Sequence, residues 1–369
     1  MPSRIPRPCV QVRVPRSDAS RYPVFVGPGI LRQLPRILPR LAPAHRYFLI
    51  SDTHVTRLYG RRLRNELVRA GLTVHLLQVP PGERSKTRQM KAKLEDRMLA
   101  LQGGLDSVVL AVGGGMVCDL AGFVAATYLR GVPFVSVPTT LLAMVDAALG
   151  GKTAVDHPKG KNLIGAFHHP RGVFADVSVL ATLPEREYRS GLAEVVKTAV
   201  VGDSALFRTL ERGTAAILSR HPEALEDLVT TCSRLKARVV AVDERESGRR
   251  CILNFGHTMG HALEHLSRFR LAHGEAVAIG MAMEASAAEA AGILRRGDAG
   301  RIVKLLKALG LPVSPPRGMA PDRLFRIARR DKKARGGRLL YAVPRRIGRM
   351  ASQGGRFVVP LPTRYFTSQ

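Results

Sequence analysis

Tryptophan is absent from the 369 residues, and aromatic residues together make up only 5%. A protein that reads nucleic acid by stacking bases on aromatic platforms is poorly served by that composition. Cysteine is scarce: Cys9, Cys118, Cys232 and Cys251 lie far apart without CxxC spacing, which argues against a disulfide framework or a thiolate zinc site and favours a reducing compartment. Acidic residues number 29 against 58 basic ones, a formal net charge of +29. Long apolar runs are missing as well. The N-terminal region carries arginines without an apolar segment, and Asp146 interrupts the stretch from Leu141 to Leu149, well short of the ~18 residues a membrane span needs. These absences predict a cytoplasmic protein with no membrane span.

What is present is a folding sequence. An apolar fraction of 45% and a charged fraction of 24% are ordinary for a globular chain, so the basic excess does not imply disorder. At roughly 150 residues per domain the length predicts two domains. The basic residues divide into 46 Arg and 12 Lys, a skew that coding bias alone can produce.

Short apolar runs alternate with longer amphipathic segments in the first half, the pattern of a parallel sheet covered by helices. Strands are expected at Arg46 to Ser51, Thr73 to Val79, Ser107 to Val112, Val132 to Val137 and Val173 to Asp176, preceded by a hairpin of Cys9 to Val14 and Tyr22 to Val26. After Asp176 strand signals nearly stop. Pro184, followed by Glu185 and Glu187, marks a helix start, and the pattern stays mostly helical to about Leu311. A boundary near residue 180 therefore separates an α/β domain, 1–180, from a mainly helical domain, 181–369. A basic, glycine-rich segment runs from Asp331 to Arg349.

Three clusters carry chemistry. The expected strand ending at Val112 runs into Gly113-Gly114-Gly115-Met116-Val117-Cys118-Asp119 and then a helix pattern; glycines at such a turn let backbone approach a pyrophosphate at a helix N-terminus. It lacks the GxGxxG spacing, and a purely structural turn is the competing reading. Pro138-Thr139-Thr140, Asp146, Gly150-Gly151-Lys152 and Lys161-Asn162 offer hydroxyls, an amide and two lysines suited to a phosphorylated ligand above the strand ends, or simply a solvated loop. Four of the eleven histidines fall between 257 and 273. From spacing alone His257 and His261, four apart on one helix face, form the expected ligand pair, with His273 one loop farther on and Glu194 as a carboxylate. Lys197 shares a helix face with Glu194, and His265 reads as structural. Upstream, Lys236, Glu246, Arg250 and Asn254 form a mixed polar set in which Glu246 is either a base or a surface charge, and Arg250 either an anion clamp or a surface charge.

From about Ser51 to Ile347 the sequence resembles the 3-dehydroquinate synthase family of sugar-phosphate cyclases. The resemblance rests on PGERSK from Pro81, GGGMVCD from Gly113, Arg130-Gly131, PTTLLA from Pro138, GGKT from Gly150, GKN from Gly160, TLPERE from Thr182, GLAEVVK from Gly191, LNFGHTMGHALE from Leu253, HGEAVAIGM from His273 and DKK from Asp331. It implies a Rossmann-like α/β domain and a helical domain with the active site in the cleft between them, and a carbon–oxygen lyase of the shikimate pathway, which leads to chorismate and the aromatic amino acids. The implied reaction takes 3-deoxy-D-arabino-heptulosonate 7-phosphate to 3-dehydroquinate and phosphate, with NAD+ and Zn2+ or Co2+, through oxidation, phosphate elimination, reduction, ring opening and intramolecular aldol closure.

Carried over position by position, the resemblance implies Glu194, His257 and His273 as metal ligands, which displaces His261 from the spacing-based pair. Glu246 and His261 become proton-transfer residues, with Lys152 and Lys197 also catalytic. The substrate would meet Asp146, Lys152, Asn162, Lys197, Lys236, Arg250, Asn254, His257, His273 and Lys332, with Arg130 supplied by the second subunit of a homodimer. NAD+ would meet Asp52, Glu83, Lys86, Gly114, Gly115, Met116, Val117, Cys118, Asp119, Thr139, Thr140, Lys152, Lys161, Val179, Leu180, Ala181 and Thr182. His54 and Asp156 depart from the family pattern, where asparagines are expected. Seven of the twelve lysines (86, 152, 161, 197, 236, 332 and 333) fall on these motifs in a chain that otherwise prefers arginine.

Three alternatives are a sibling cyclase, a metal-dependent polyol dehydrogenase that would release NADH, and a nucleic-acid binder. Scattered basic residues and few aromatics leave only nonspecific association for the last.

Overall fold

The computed structural model describes residues 8–13, 21–319, 321–328 and 339–366. Its strands in the first half are β1 (Val10–Arg13), β2 (Arg21–Gly27), β3 (Arg46–Asp52), β4 (Val74–Val79), β5 (Ser107–Gly113), β6 (Phe134–Pro138), β7 (Lys152–His157), β8 (Gly160–Phe167) and β9 (Val173–Asp176). The helices between them are α1 (Leu34–Leu41), α2 (Thr53–Val55), α3 (Arg61–Arg69), α4 (Arg88–Ala100) and α5 (Gly115–Thr127). Seven strands form one sheet in the order β1-β2-β9-β6-β5-β3-β4. β1 and β2 make the expected antiparallel hairpin, and the other pairings are parallel.

The apolar runs build this sheet because both its faces are covered. Along β5, Val108, Leu110 and Val112 join one core with Leu34, Leu38, Leu63 and Leu67 from α1 and α3. Val109 and Ala111 point the other way, into a core with Leu94 and Met98 of α4 and Leu120 and Val124 of α5. Each fully buried aliphatic side chain contributes ~1.5–3 kcal/mol, and the functional motifs lie at the strand ends, beyond these apolar runs.

One stretch differs from the sequence reading. The segment after Gly151, expected as a loop between strand ends, is an antiparallel hairpin of β7 and β8 with a bulge between Val155 and His157. Its turn at Pro158-Lys159 is a hairpin signal, but the polar motif residues on both strands hide the alternation that marks a strand.

The remaining helices are α6 (Glu185–Gly202), α7 (Ser204–Leu218), α8 (Pro222–Val242), α9 (His257–Leu266), α10 (His273–Ala290), α11 (Asp298–Ala308) and α12 (Pro321–Ala328). Four short strands, β10 (Leu340–Tyr341), β11 (Pro344–Arg346), β12 (Arg349–Met350) and β13 (Val359–Pro360), follow. The α6 start matches the expected one, with Pro184 before it and Glu185 bound by Arg189 and Arg220 at 2.7 and 2.9 Å.

The chain divides into two compact units, 1–183 with 225–241, and 184–224 with 242–369. The sequence pattern places a single cut near residue 180; the stretch 225–241 of α8, beyond that cut, clusters instead with the first unit. Lys236 shows why: its buried ammonium is held by the backbone carbonyl and, at 2.7 Å, the carboxylate of Asp146. Among the described residues no helix is long and apolar enough to cross a membrane.

Candidate active site

In the second unit three helices converge on one buried point. Glu194 lies on α6, His257 opens α9 and His273 opens α10. Glycine makes the close approach possible. A Cβ at Gly274 would collide with the backbone carbonyl of Ser190 on α6, and a Cβ at Gly280 with the carbonyl of Gly256 at the head of α9. The Gly274 N–H donates to the Ser190 hydroxyl at 2.9 Å.

Nε2 of His273 and Nε2 of His257 lie 3.2 and 3.5 Å from Oε1 of Glu194, whose other oxygen pairs with Lys197. The Nδ1 of His257 donates to the Phe255 carbonyl at 3.1 Å, which turns Nε2 toward the carboxylate. The Nδ1 of His273 faces Glu264 at 3.5 Å. Glu284, fully buried, accepts the N–H groups of Gly256 and Met259 at 2.7 and 3.1 Å and so fixes the N-terminus of α9.

One donor atom from each of Glu194, His257 and His273 lies within 4.8 Å of the others, the one such group of three among the described residues. Two ligands each about 2.1 Å from a tetrahedral ion are ~3.4 Å apart, a spacing bracketed by the two histidine–glutamate distances. His261 is outside the group. It stands on α9 with its ring 5.5 Å from that of His257, whereas the group of three is assembled across three helices, which periodicity within one helix does not report. Burial alone would lower the pKa of His273, but Glu194 and Glu264 outweigh it and raise it to about 10. The buried Glu194 and Glu264 carboxylates are thus balanced by Lys197 and the His273 imidazolium, whose Nε2 proton a divalent cation would displace on binding. Glu264 and Glu284 were not singled out from sequence. Glu264 follows His257 by seven residues and shares its face, a signal available without a structure; Glu284 had none.

Glu246 and Arg250 occupy the turn between α8 and α9. Asp243 builds that turn by accepting the N–H groups of Ser247, Gly248 and Arg250 at 2.9, 2.8 and 2.8 Å. Glu246 takes a left-handed backbone, φ 59°, and its carboxylate accepts from Asn254. Arg250 is only 2% exposed and donates to the Glu244 carbonyl, which rules out the surface-charge reading for it.

In the first unit the Gly-rich turn joins β5 to α5. The N-cap is Gly114 with no side-chain cap, and its position tolerates little: a Cβ there would sit 3.0 Å from Thr140 Cγ2. Thr139 bonds the Gly113 carbonyl through its N–H at 2.9 Å, while its buried hydroxyl has no partner among the described residues. An orphaned hydroxyl beside a Gly-rich helix N-terminus fits a bound dinucleotide phosphate. Lys86, only 3% exposed, bonds Asp119 and Asn162 at 2.5 Å each and lies 3.5 Å from Glu83. Burial opposes its charge, and Asp119, Glu83 and Asp156 together overcome that and raise its pKa.

The departures from the family pattern have partners here: Asp156 accepts the Asn162 N–H at 2.8 Å, and His54 meets Arg57 at 3.3 Å. Asp52 caps α2 through the N–H groups of His54 and Val55. Tyr59 bonds the Val179 carbonyl and the Thr182 hydroxyl near Leu180 and Ala181. Lys152 and Lys161 lie on the β7–β8 hairpin, and Arg130 is exposed with φ 69°. Met116, Val117 and Cys118 form the first turn of α5, and Thr140 accepts the Ala143 N–H at 3.2 Å. Lys332 lies outside the described residues.

A family model described as 3-dehydroquinate synthase N-terminal matches residues 76–190, and one described as 3-dehydroquinate synthase C-terminal matches 191–334. The chain belongs to the 3-dehydroquinate synthase family. A family member from Pelotomaculum thermopropionicum, a 3-dehydroquinate synthase, is 48% identical over 337 residues, 90% of each chain. Among solved structures, 2-deoxy-scyllo-inosose synthase complexed with carbaglucose-6-phosphate, NAD+ and Co2+ aligns with TM-score 0.88 and 28% identity, covering 96% of this chain and 97% of that one. The 2-epi-5-epi-valiolone synthase of Streptomyces hygroscopicus subsp. jinggangensis 5008, with NAD+ and Zn2+ bound, aligns with TM-score 0.83 and 31% identity, covering 94% of both.

Proposed function

We propose that this chain converts 3-deoxy-D-arabino-heptulosonate 7-phosphate into 3-dehydroquinate and phosphate in the cytoplasm, as a phosphate-eliminating lyase with NAD+ and a divalent Zn2+ or Co2+ ion. The observation that carries this reading over a sibling cyclase is the 48% identity to a 3-dehydroquinate synthase against 28% and 31% to the two cyclases making other carbocycles. The donor set of Glu194, His257 and His273 supports the metal, and the Gly-rich turn with the Thr139 hydroxyl supports the dinucleotide.

When bound, NAD+ supplies a reversible hydride acceptor and the metal ion a Lewis acid for the reacting oxygens. The chain's own residues do the rest. Lys152, Asn162, Lys197, Lys236, Arg250, Asn254 and Lys332 hold the substrate's phosphate and carboxylate, and Asp146 its hydroxyls, while His257 and His273 also touch it. His261 and Glu246 move protons, with Lys152 and Lys197 assisting, and Asn254 keeps the Glu246 carboxylate oriented. Lys86 and Glu83, with Asp52, Lys161 and residues 114–119, 139–140 and 179–182, seat the dinucleotide. Arg130, exposed and without a carboxylate partner among the described residues, serves the second copy of a homodimer.

The test is a phosphate-release assay on the heptulosonate phosphate with NAD+, and again with NAD+ withheld or a chelator added. Release is expected only with both NAD+ and metal. Accumulation of NADH with a simple polyol, and no phosphate, would turn the assignment to a polyol dehydrogenase.

A further inference from the structure

Far along α10 from His273, the second unit carries a cavity of about 1100 Å³ that none of the candidate site residues above lines. Its walls are the end of α10, the turn into α11, the first turns of α11, and the β11–β12 hairpin. Along α10 its lining residues Ser286 and Ala290 lie ~20 and ~25 Å from His273.

Five of its fourteen lining residues are arginines, Arg295, Arg296, Arg345, Arg346 and Arg349, against one carboxylate, Glu289. The whole chain has 46 arginines in 369 residues, so coding bias alone would supply about two. Arg295 pairs with Asp298 at 2.6 Å, but among the described residues no carboxylate pairs with any of the other four. That contrasts with Arg186, Arg189, Arg220 and Arg301, each of which is matched to a glutamate. Arg346 and Arg349 also stand directly opposite each other across the hairpin, a like-charge cross-strand pair that costs stability unless an anion lies between. The backbone beneath them is fixed: Arg295 N–H bonds the Arg345 carbonyl at 3.0 Å, and Ile347 N–H bonds the buried Asp298 at 3.1 Å. At Gly300 a Cβ would meet nothing within 4 Å.

We propose that this groove binds a small polyphosphate anion at a site separate from the reacting centre. Guanidinium forks match phosphate oxygens in pairs, and several unpaired forks around one recess match several linked phosphates. An open recess of about 1100 Å³ lies at the upper edge of the small-ligand range, whereas a nucleic-acid duplex calls for an extended face.

The experiment is titration calorimetry of the full chain with sodium tripolyphosphate at near-physiological salt. Wild type and the Lys152→Ala variant, which removes a cation of the proposed reacting centre, are expected to show the same saturable site. The double variant Arg296→Ser/Arg346→Ser, which removes charge, and Gly300→Trp, which fills the recess and leaves every charge in place, should each weaken it by roughly tenfold or more while keeping the wild-type melting temperature. The proposal is overturned by the absence of a saturable site in wild type. It is equally overturned if affinity in both groove variants is unchanged, or if the loss is confined to Lys152→Ala. Tighter binding of a DNA duplex at equal phosphate concentration, lost in the same variants, would make the groove a nucleic-acid surface instead.

Discussion

Replacing Glu264 by Gln isolates one interaction in the metal-donor cluster. The side chain is buried, and its carboxylate faces Nδ1 of His273 at 3.5 Å, the ring nitrogen opposite the one that faces Glu194. A carboxylate so placed fixes the tautomer that offers Nε2 to a cation and makes that nitrogen a stronger donor. A full charge pair at that separation, in an effective dielectric of about 20, would be worth ~5 kcal/mol. An imidazole shared with an ion carries only part of a charge, and loss of such partners costs roughly 10- to 100-fold in metal affinity, or ~1.4–2.7 kcal/mol. Glutamine keeps the shape and an acceptor oxygen, so the fold should stand. The assay is competition for Zn2+ against a chromophoric chelator, with thermal melting of the metal-free protein as the control for folding. Wild-type affinity in the Gln variant would refute the reasoning, since it would mean that His273 is oriented without Glu264.

His273→Ala should lose metal in the same competition, whereas His261→Ala should retain it and lose turnover by roughly 10²- to 10⁴-fold; metal loss in His261→Ala would restore the pairing that helical spacing favours. Gly280→Ala should cost ~1–3 kcal/mol in denaturant unfolding and weaken metal retention with it, because the added methyl meets the Gly256 carbonyl where α9 and α10 touch; an unchanged midpoint would contradict that packing. Asp243→Asn should destabilise the turn carrying Glu246 and Arg250. Burial works against the Asp243 carboxylate, but the N–H groups of Arg250, Gly248 and Ser247 outweigh it and hold its pKa below the usual value. The stability it provides is therefore complete above the unfolded carboxylate value, about pH 4, and is lost as pH falls through the lower folded value. The stability gap between wild type and the Asn variant should be constant from about pH 5 to 8 and close in stronger acid, and a gap that widens in acid would invert the sign.

What the sequence made legible follows from how each feature is encoded. β3, β5 and β9 were visible because a strand covered on both faces must be continuously apolar, and residues such as Val108, Val109 and Leu110 satisfy both cores at once. The β7–β8 hairpin was not, because Lys152, Lys161 and Asn162 interrupt its pattern. The short strands after Leu340 are two or three residues long, below any period. Within the site, the pairing of Glu194 with Lys197 was legible as helical spacing. Glu194, His257 and His273 were all candidates by residue type, but the choice of His273 over His261 came only through family resemblance, since nothing in local periodicity links three helix positions 63 and 16 residues apart. The partnership of Lys236 with Asp146 spans 90 residues and shares that opacity.

The division of positive charge between lysine and arginine has a physical basis in these contacts. Lys86, Lys197 and Lys236 are each buried and each lies against a carboxylate. An ammonium can direct three donors from a single compact point: Lys86 reaches Asp119 and Asn162 at once and stays near Glu83. A guanidinium would have to place a rigid, wider plane in the same space, so Lys86→Arg is not conservative even though charge is kept. Arg250 is the buried exception, and its fork reaches a backbone carbonyl in a turn where planar geometry suits. In a chain with nearly four times as many arginines as lysines, three of the four buried Lys and Arg side chains among the described residues are lysines. The arginines that line the groove beyond α10 are therefore not substitutes for lysine; the four with no carboxylate partner among the described residues suit a ligand carrying several linked phosphates.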